Sequence, residues 1–353
     1  MDAPSAQLQL EIRDSVVRLF ATRRPLLHHL NADTSWLLQI PRPATAVKHG
    51  SRIYYNILID PWFVGGQSDV ARWFSQQFHA IESAVKSVAE VEELAREIEI
   101  LAGGLRLEKG RRSNTDAGTD VETFIDAVVV SHEFTDHCHK ETLLEVHPVF
   151  ATEKAAGLIS SFKHFRDVAT TPTFTADAPD WRDYSLPPLP SWLSISRLTA
   201  AEDALYHSAI LITFATHPFL PTTPKKRSSL LQIHPEEPSS DPDAAECVVY
   251  ISHGIQHTAL RPIEVADPPL HTLAFLHGLR DTAGEYWVAT HDEVKKGGGL
   301  VAWFLQRKIW TLEDALKEAR AELDGEDTIM GTDDYFENVR FEDVGNGESR
   351  VLE

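Results

Sequence analysis

The stretch AVVVSHEFTDHCHKET, Ala127–Thr142, sets the reading of this chain. A continuous apolar, β-branched run stops at Val130, and His132, Glu133, Asp136, His137 and His139 follow within eight residues. Such a run reads as a strand buried on both faces. Potential ligands placed just past its end fall in a turn, where side chains converge without being buried unpaired. The next segment, KETLLEV, begins a helix, so regular structure holds the loop at both ends. A loop preorganised in this way loses less entropy on closing around an ion. Imidazole and carboxylate together are the donor set of Zn(II) or Fe(II).

The surrounding sequence alternates strand and helix patterns. Upstream, AQLQLEIRDSVVRLFAT has helical spacing, and TSWLLQIP and RIYYNILIDPWF read as strands, the second stopped by Pro61. From Val64 to Gly104 the spacing is helical, ending in VEELAREIEILAGG, and Glu108–Asp120 is a polar loop. Downstream, PVFAT, LSISRLTA, SAILITFA, SSLLQIH, ECVVYISHG and EYWVATHDE read as strands. KETLLEVH and EKAAGLISSF read as helices, and GLVAWFLQRK with TLEDALKEARAEL as a closing helix. The expected organisation is one domain over residues 1–323, with a helical insertion at about 64–107 and an acidic, loosely held tail at 324–353.

Bulk properties narrow the function classes. The net charge of -20, from 33 Lys+Arg against 53 Asp+Glu, repels phosphate backbones and argues against general nucleic-acid binding. Two cysteines, Cys138 and Cys247, make no disulfide framework and fit a reducing compartment. The N-terminus lacks a basic segment followed by an apolar one, and no run nears the ~18 apolar residues of a membrane span. The expectation is a cytoplasmic protein acting on a small molecule, with its oligomeric state open.

His132-Glu133-Phe134-Thr135-Asp136-His137 resembles the His-x-His-x-Asp-His motif of the metallo-beta-lactamase fold superfamily, with Phe134 where the pattern has its second His. ILIDPWF is similar to that family's early strand, where Asp60 would brace the metal loop. YWVATHDE is similar to its last metal-binding strand, with His291 in the ligand place. The flavour is that of the sugar-lactone and phosphodiester hydrolases, and of fungal metallo-hydrolase homologues carrying SHEFTDH and THDEVKKGGGL segments. The resemblance spans roughly Ser35 to Leu316.

The resemblance implies an α/β fold, a four-layer αββα sandwich, and a metal-dependent hydrolase of an ester, lactone or phosphodiester. It implies one firm zinc at Asp136, His137 and His291, with water completing the shell. A weaker second site would use His132, His207 and His253, with His217 competing for the place of His207. His253 stands where the family has a bridging Asp. A single metal shared by a rearranged set that includes His253 is a third arrangement, and Fe or Mn could replace Zn. His132 and Asp136 would carry the catalysis, His132 as base or water-orienting group, with Glu133 and Asp292 behind the ligands. Two further readings stay open: a metal-poor binding or scaffold protein on the same fold, and an iron-dependent oxidoreductase. His139 is expected at the surface or as a helix cap, Cys138 in the core. Trp62, Phe63, Trp73 and Trp287 are expected mostly in the core, with Trp62 able to line a pocket beside Asp60. The glycines of KKGGGL, Lys295–Leu300, lack the phosphate-loop order and instead let the backbone run close to the site.

Overall fold

A computed structural model describes residues 23–47, 52–69, 71, 73–107, 123–146, 148–166, 168–200, 207–215, 245–276, 286–288, 290, 295–298, 340–342 and 344–352. The expected first helix, SSLLQIH, and the closing helix lie outside these residues, as do His217, His291 and Asp292. The chain is mixed α/β, built on two large sheets.

The first sheet is formed by β1 (Leu26–His29), β2 (Trp36–Pro41), β3 (Tyr54–Ile59), β5 (Ala127–Val130), β6 (Val149–Ala151), β7 (Val168–Thr170) and β15 (Ser349–Val351), in the order β15-β1-β2-β3-β5-β6-β7. Its first half is antiparallel; β3, β5, β6 and β7 run parallel. The second sheet takes β8 (Leu193–Thr199), β9 (Ser208–Ala215), β10 (Ala245–Ile251), β11 (Leu270–Leu276), β12 (Tyr286–Val288) and β14 (Arg340–Glu342), in the order β14-β12-β11-β10-β9-β8. A two-stranded ribbon joins β4 (Gln76–Phe78) to β13 (Lys296–Gly298).

Alternation along the strands divides the core. Trp36, Leu38, Ile57, Ile59 and Val129 of the first sheet share one buried cluster with Ile195, Ile210, Ile212, Val248 and Tyr250 of the second, so the sheets pack face to face. The opposite set on the first sheet, Leu37, Leu58, Val128 and Val130, meets α1 (Val88–Leu107), α2 (Lys140–Leu143) and α3 (Glu153–Ser161) through Val91, Leu143 and Ile159. The outer side of the second sheet packs on the 3-10 turns Trp181–Tyr184 and His257–Leu260 and on α4 (Arg261–Glu264).

A buried polar row crosses the first sheet. His28 bonds Ser349 at 2.5 Å and Gln39 at 2.8 Å, Gln39 donates to Asn56 at 2.9 Å, and Asn56 donates to the Phe124 carbonyl at 2.7 Å. Each member is satisfied by the next, as burial requires.

Two expectations about organisation change. The helical pattern from Val64 is a helix only from Val88; residues 76–78 pair as β4, because Lys296–Gly298 offers a strand partner that no local periodicity reveals. The acidic terminus is also not loose throughout. β14 adds to the second sheet and β15 to the first, and Leu352 is fully buried. Few but well-placed apolar residues, Val344 and Leu352, anchor it.

Candidate metal centre

β3 and β5 run parallel, so their ends deliver Asp60 and Ser131 to the same edge of the sheet. Asp60 adopts φ 42°, the left-handed region that Asp tolerates better than most residues. Its carboxylate accepts from Ser131 N (2.8 Å), from the Ser131 hydroxyl and from His137 Nδ1 (2.7 Å), all at full burial. Asp60 thus braces the loop after β5, as the resemblance implied. The loop closes on itself through His137 N and Cys138 N, which both donate to the Phe134 carbonyl, at 2.9 and 2.7 Å.

With Nδ1 donating to Asp60, His137 turns Nε2 toward Asp136 Oδ1, 3.8 Å away. Burial works against its charged form, but the Asp136 and Asp60 carboxylates outweigh that and raise its pKa. His253 follows β10 and packs its ring edge-on, centroid 4.7 Å from His137 and 4.9 Å from His132. His132 and His137 are 6.2 Å apart. His132 is buried, and burial holds its pKa below the ordinary value. Its Nδ1 lies 3.4 Å from Glu133 Oε2 but accepts from Phe134 N at 3.2 Å, and the shorter contact, an N–H that can only donate, favours the hydrogen on Nε2. Phe134, in place of the second motif His, has its ring 4.2 Å from that of His132, tilted by 41°, and 5.7 Å from that of His253.

His207 meets the cluster through the backbone: Nδ1 donates to the His253 carbonyl at 3.0 Å. It precedes β9 where β9 pairs with the end of β10, so it supports His253. His139 is buried rather than surface-facing. It occupies the residue before α2 without a side-chain cap; Nδ1 bonds the Thr142 hydroxyl at 2.9 Å. Its ring lies 6.2 Å from that of Trp62, and its Nε2 is 3.4 Å from Glu141. Cys138 is a core residue, its thiol pushed up to about 12, chiefly by burial and then by Asp60 and Glu133. Trp62 and Phe63 are buried, but Trp73 is 69% exposed on the 64–81 segment.

Sequence reasoning missed Lys295. Its ammonium is buried and donates to Asp136 Oδ2 at 2.7 Å and pairs with Asp33 Oδ2 at 2.8 Å, 5.3 Å from the Trp62 ring centroid. Burial would favour loss of its proton; Asp136 and Asp33 outweigh that and raise its pKa, so it stays charged. Asp33 is held in turn, because Thr290 Oγ1 donates to its carbonyl at 2.9 Å and itself accepts from Trp36 Nε1 at 2.8 Å. Thr34 donates to the Asp136 carbonyl at 3.0 Å. The one signal pointing to Lys295 was its place beside THDE, in a segment read for its glycines.

Among the described residues, no group of three or more His, Cys, Asp or Glu is disposed to hold a metal ion. The donor chemistry fits one in part. Two donors on a tetrahedral zinc stand about 3.4 Å apart, given Zn–N distances of about 2.0–2.1 Å. Asp136 Oδ1 and His137 Nε2 at 3.8 Å are close to that spacing, and the Asp60 bond to Nδ1 is the usual brace of a ligating imidazole. No family model, curated protein or solved structure matches the chain.

Proposed function

We propose that this chain is a metal-dependent hydrolase on a four-layer αββα, metallo-beta-lactamase-like sandwich, acting on a small ester, lactone or phosphodiester. One divalent cation, zinc by donor type, would be gripped by the Asp136–His137 pair, with the His253 ring closing in as third donor on binding; as they stand the three do not form a ligand set. The observation that carries this is the Asp60–His137–Asp136 alignment, with the His253 ring closing on it. Bound there, zinc supplies Lewis-acid activation of water near neutral pH. Asp60 fixes the His137 ring and its tautomer. Lys295 holds Asp136 in one rotamer and keeps it ionised. His132 holds its proton at Nε2, suited to donating to the oxygen that gains charge as water adds to a carbonyl or phosphoryl centre. The role fits His132 better than that of a ligand or base. Phe134 packs against both His132 and His253 and limits water around them.

Among the described residues no helix is long and apolar enough to cross a membrane; the two buried free cysteines suit the cytoplasm. A second reading, a metal-free binding protein on the same fold, draws on one observation: Lys295 already neutralises Asp136. Turnover of a panel of lactones, esters and phosphodiesters separates the two. The hydrolase reading expects activity that chelation abolishes and zinc restores, and that falls at least about 100-fold in His132→Ala. Zero turnover across the panel by protein that takes up no zinc when zinc is offered supports the binding protein.

A further inference from the structure

The Lys295 ammonium has a setting that ordinary surface lysines lack. It is 8% exposed and spans two carboxylates from separate parts of the chain, Asp33 after β1 and Asp136 after β5. Both contacts are of hydrogen-bond length, 2.7 and 2.8 Å, and both carboxylates are themselves buried. Two buried anions side by side need a cation between them, or one must take up a proton. Here the cation is covalently part of the protein.

The position is adjacent to the one where the ion of the proposed function would lie. Asp136 divides its oxygens: Oδ2 takes Lys295, and Oδ1 faces His137 Nε2. A carboxylate that shares its two oxygens between two cations is the bridging role carboxylates serve in binuclear centres. We propose that Lys295 is a built-in cation standing where a second metal ion would bind, and that it fixes this centre as mononuclear. The inference rests on the proposed metal site for the identity of the first cation; the Asp33–Asp136 pocket exists independently of it.

The segment carrying Lys295 is anchored on either side. Thr290 is tied to Asp33, and Lys296–Gly298 pairs with Gln76–Phe78. The 64–81 segment also grips the metal loop, because Thr135 N donates to Asp69 at 3.0 Å and its hydroxyl to Gln67. The ammonium is therefore held in place by its neighbours on both sides. Truncating Lys295 to Ala leaves two carboxylates facing a space with room for an ion and about one or two waters. Oxygen donors of this kind favour Mn2+.

The test is metal stoichiometry of the full chain, by calorimetric titration with Mn2+ or Zn2+ and by elemental analysis after gel filtration. Wild type, Lys295→Ala, Lys295→Arg and His253→Ala are compared. The proposal expects Lys295→Ala to bind one equivalent more than wild type, with Lys295→Arg unchanged from wild type. The added site should be at least 100-fold tighter than any residual second binding by wild type. Equal stoichiometry in folded Lys295→Ala and wild type overturns it. If Lys295→Ala does not fold alone, folding restored by Mn2+ or Zn2+ in a concentration-dependent way supports the proposal, and failure to fold at any metal concentration overturns it. The arms separate the two claims. Zero equivalents in wild type and one in Lys295→Ala removes the first metal, and with it the mononuclear centre, but keeps Lys295 as the occupant of a cation place; one in each keeps the first metal and overturns that role of Lys295.

Discussion

Replacing Asp60 with Ala should be among the most damaging single changes in the chain. Its carboxylate is fully buried and accepts three hydrogen bonds from Ser131 and His137. Hydrogen bonds to a charged group contribute about 1.5–3 kcal/mol each, and removing one partner of a buried pair costs about 3–5 kcal/mol. Ala at a left-handed φ of 42° adds roughly 1–2 kcal/mol of backbone strain. The contributions overlap, so about 4 kcal/mol or more is expected, a large part of a typical folding free energy of about 5–15 kcal/mol. Asp60→Asn tolerates the same φ and keeps one acceptor oxygen, and should cost about half as much. Urea titration reads both as midpoint shifts at unchanged slope. In a double-mutant cycle with His137→Ala the coupling should exceed about 1 kcal/mol. A loss below about 1 kcal/mol in Asp60→Ala, or equal losses for the two variants, would refute the argument that this carboxylate holds the loop.

Three further outcomes follow from the packing. Burial depresses the His28 pKa to about 4 against an ordinary 6.5, so only the unfolded chain takes up its proton between those values. Stability should therefore fall as the pH drops from 6.5 to about 4, by up to about 3 kcal/mol, and His28→Gln should remove that part of the acid sensitivity in pH-dependent urea melts. Leu352→Ala empties a fully buried position at the end of β15 and should cost about 2–5 kcal/mol; a thermal midpoint unchanged from wild type would return the terminus to a loose tail. Trp73→Ser, at a side chain 69% exposed, should stay within about 0.5 kcal/mol of wild type by the same assay.

Much of the frame was legible because strand signals are local. Val128–Val130, Ile57–Ile59 and Leu211–Ile212 announce buried strands by continuous apolar runs, and Asp60-Pro61 marks where one ends. What escaped depends on distant partners. β4 and β13 are three residues each and exist through pairing with one another. β15 carries exposed and half-buried residues and is a strand because β1 offers an open edge. In the site, the His132–His137 loop could be read from its composition; the convergence that the motif order suggested is with His291, which lies outside the described residues, and no spacing rule fixed the place of His253, whose ring packs on His132 and His137. Asp33 and Lys295 could not be read. An aspartate in an ordinary turn sequence and a lysine before glycines acquire their meaning only by lying 2.8 Å apart in the folded chain.

The most direct measurement is the metal content of full-length protein purified without chelators. The account predicts one equivalent of zinc per chain in wild type and in His139→Ala, and its loss in His137→Ala and His253→Ala with the fold retained. Wild-type protein that stays metal-free after zinc is offered, or His253→Ala that keeps its full equivalent, would contradict it.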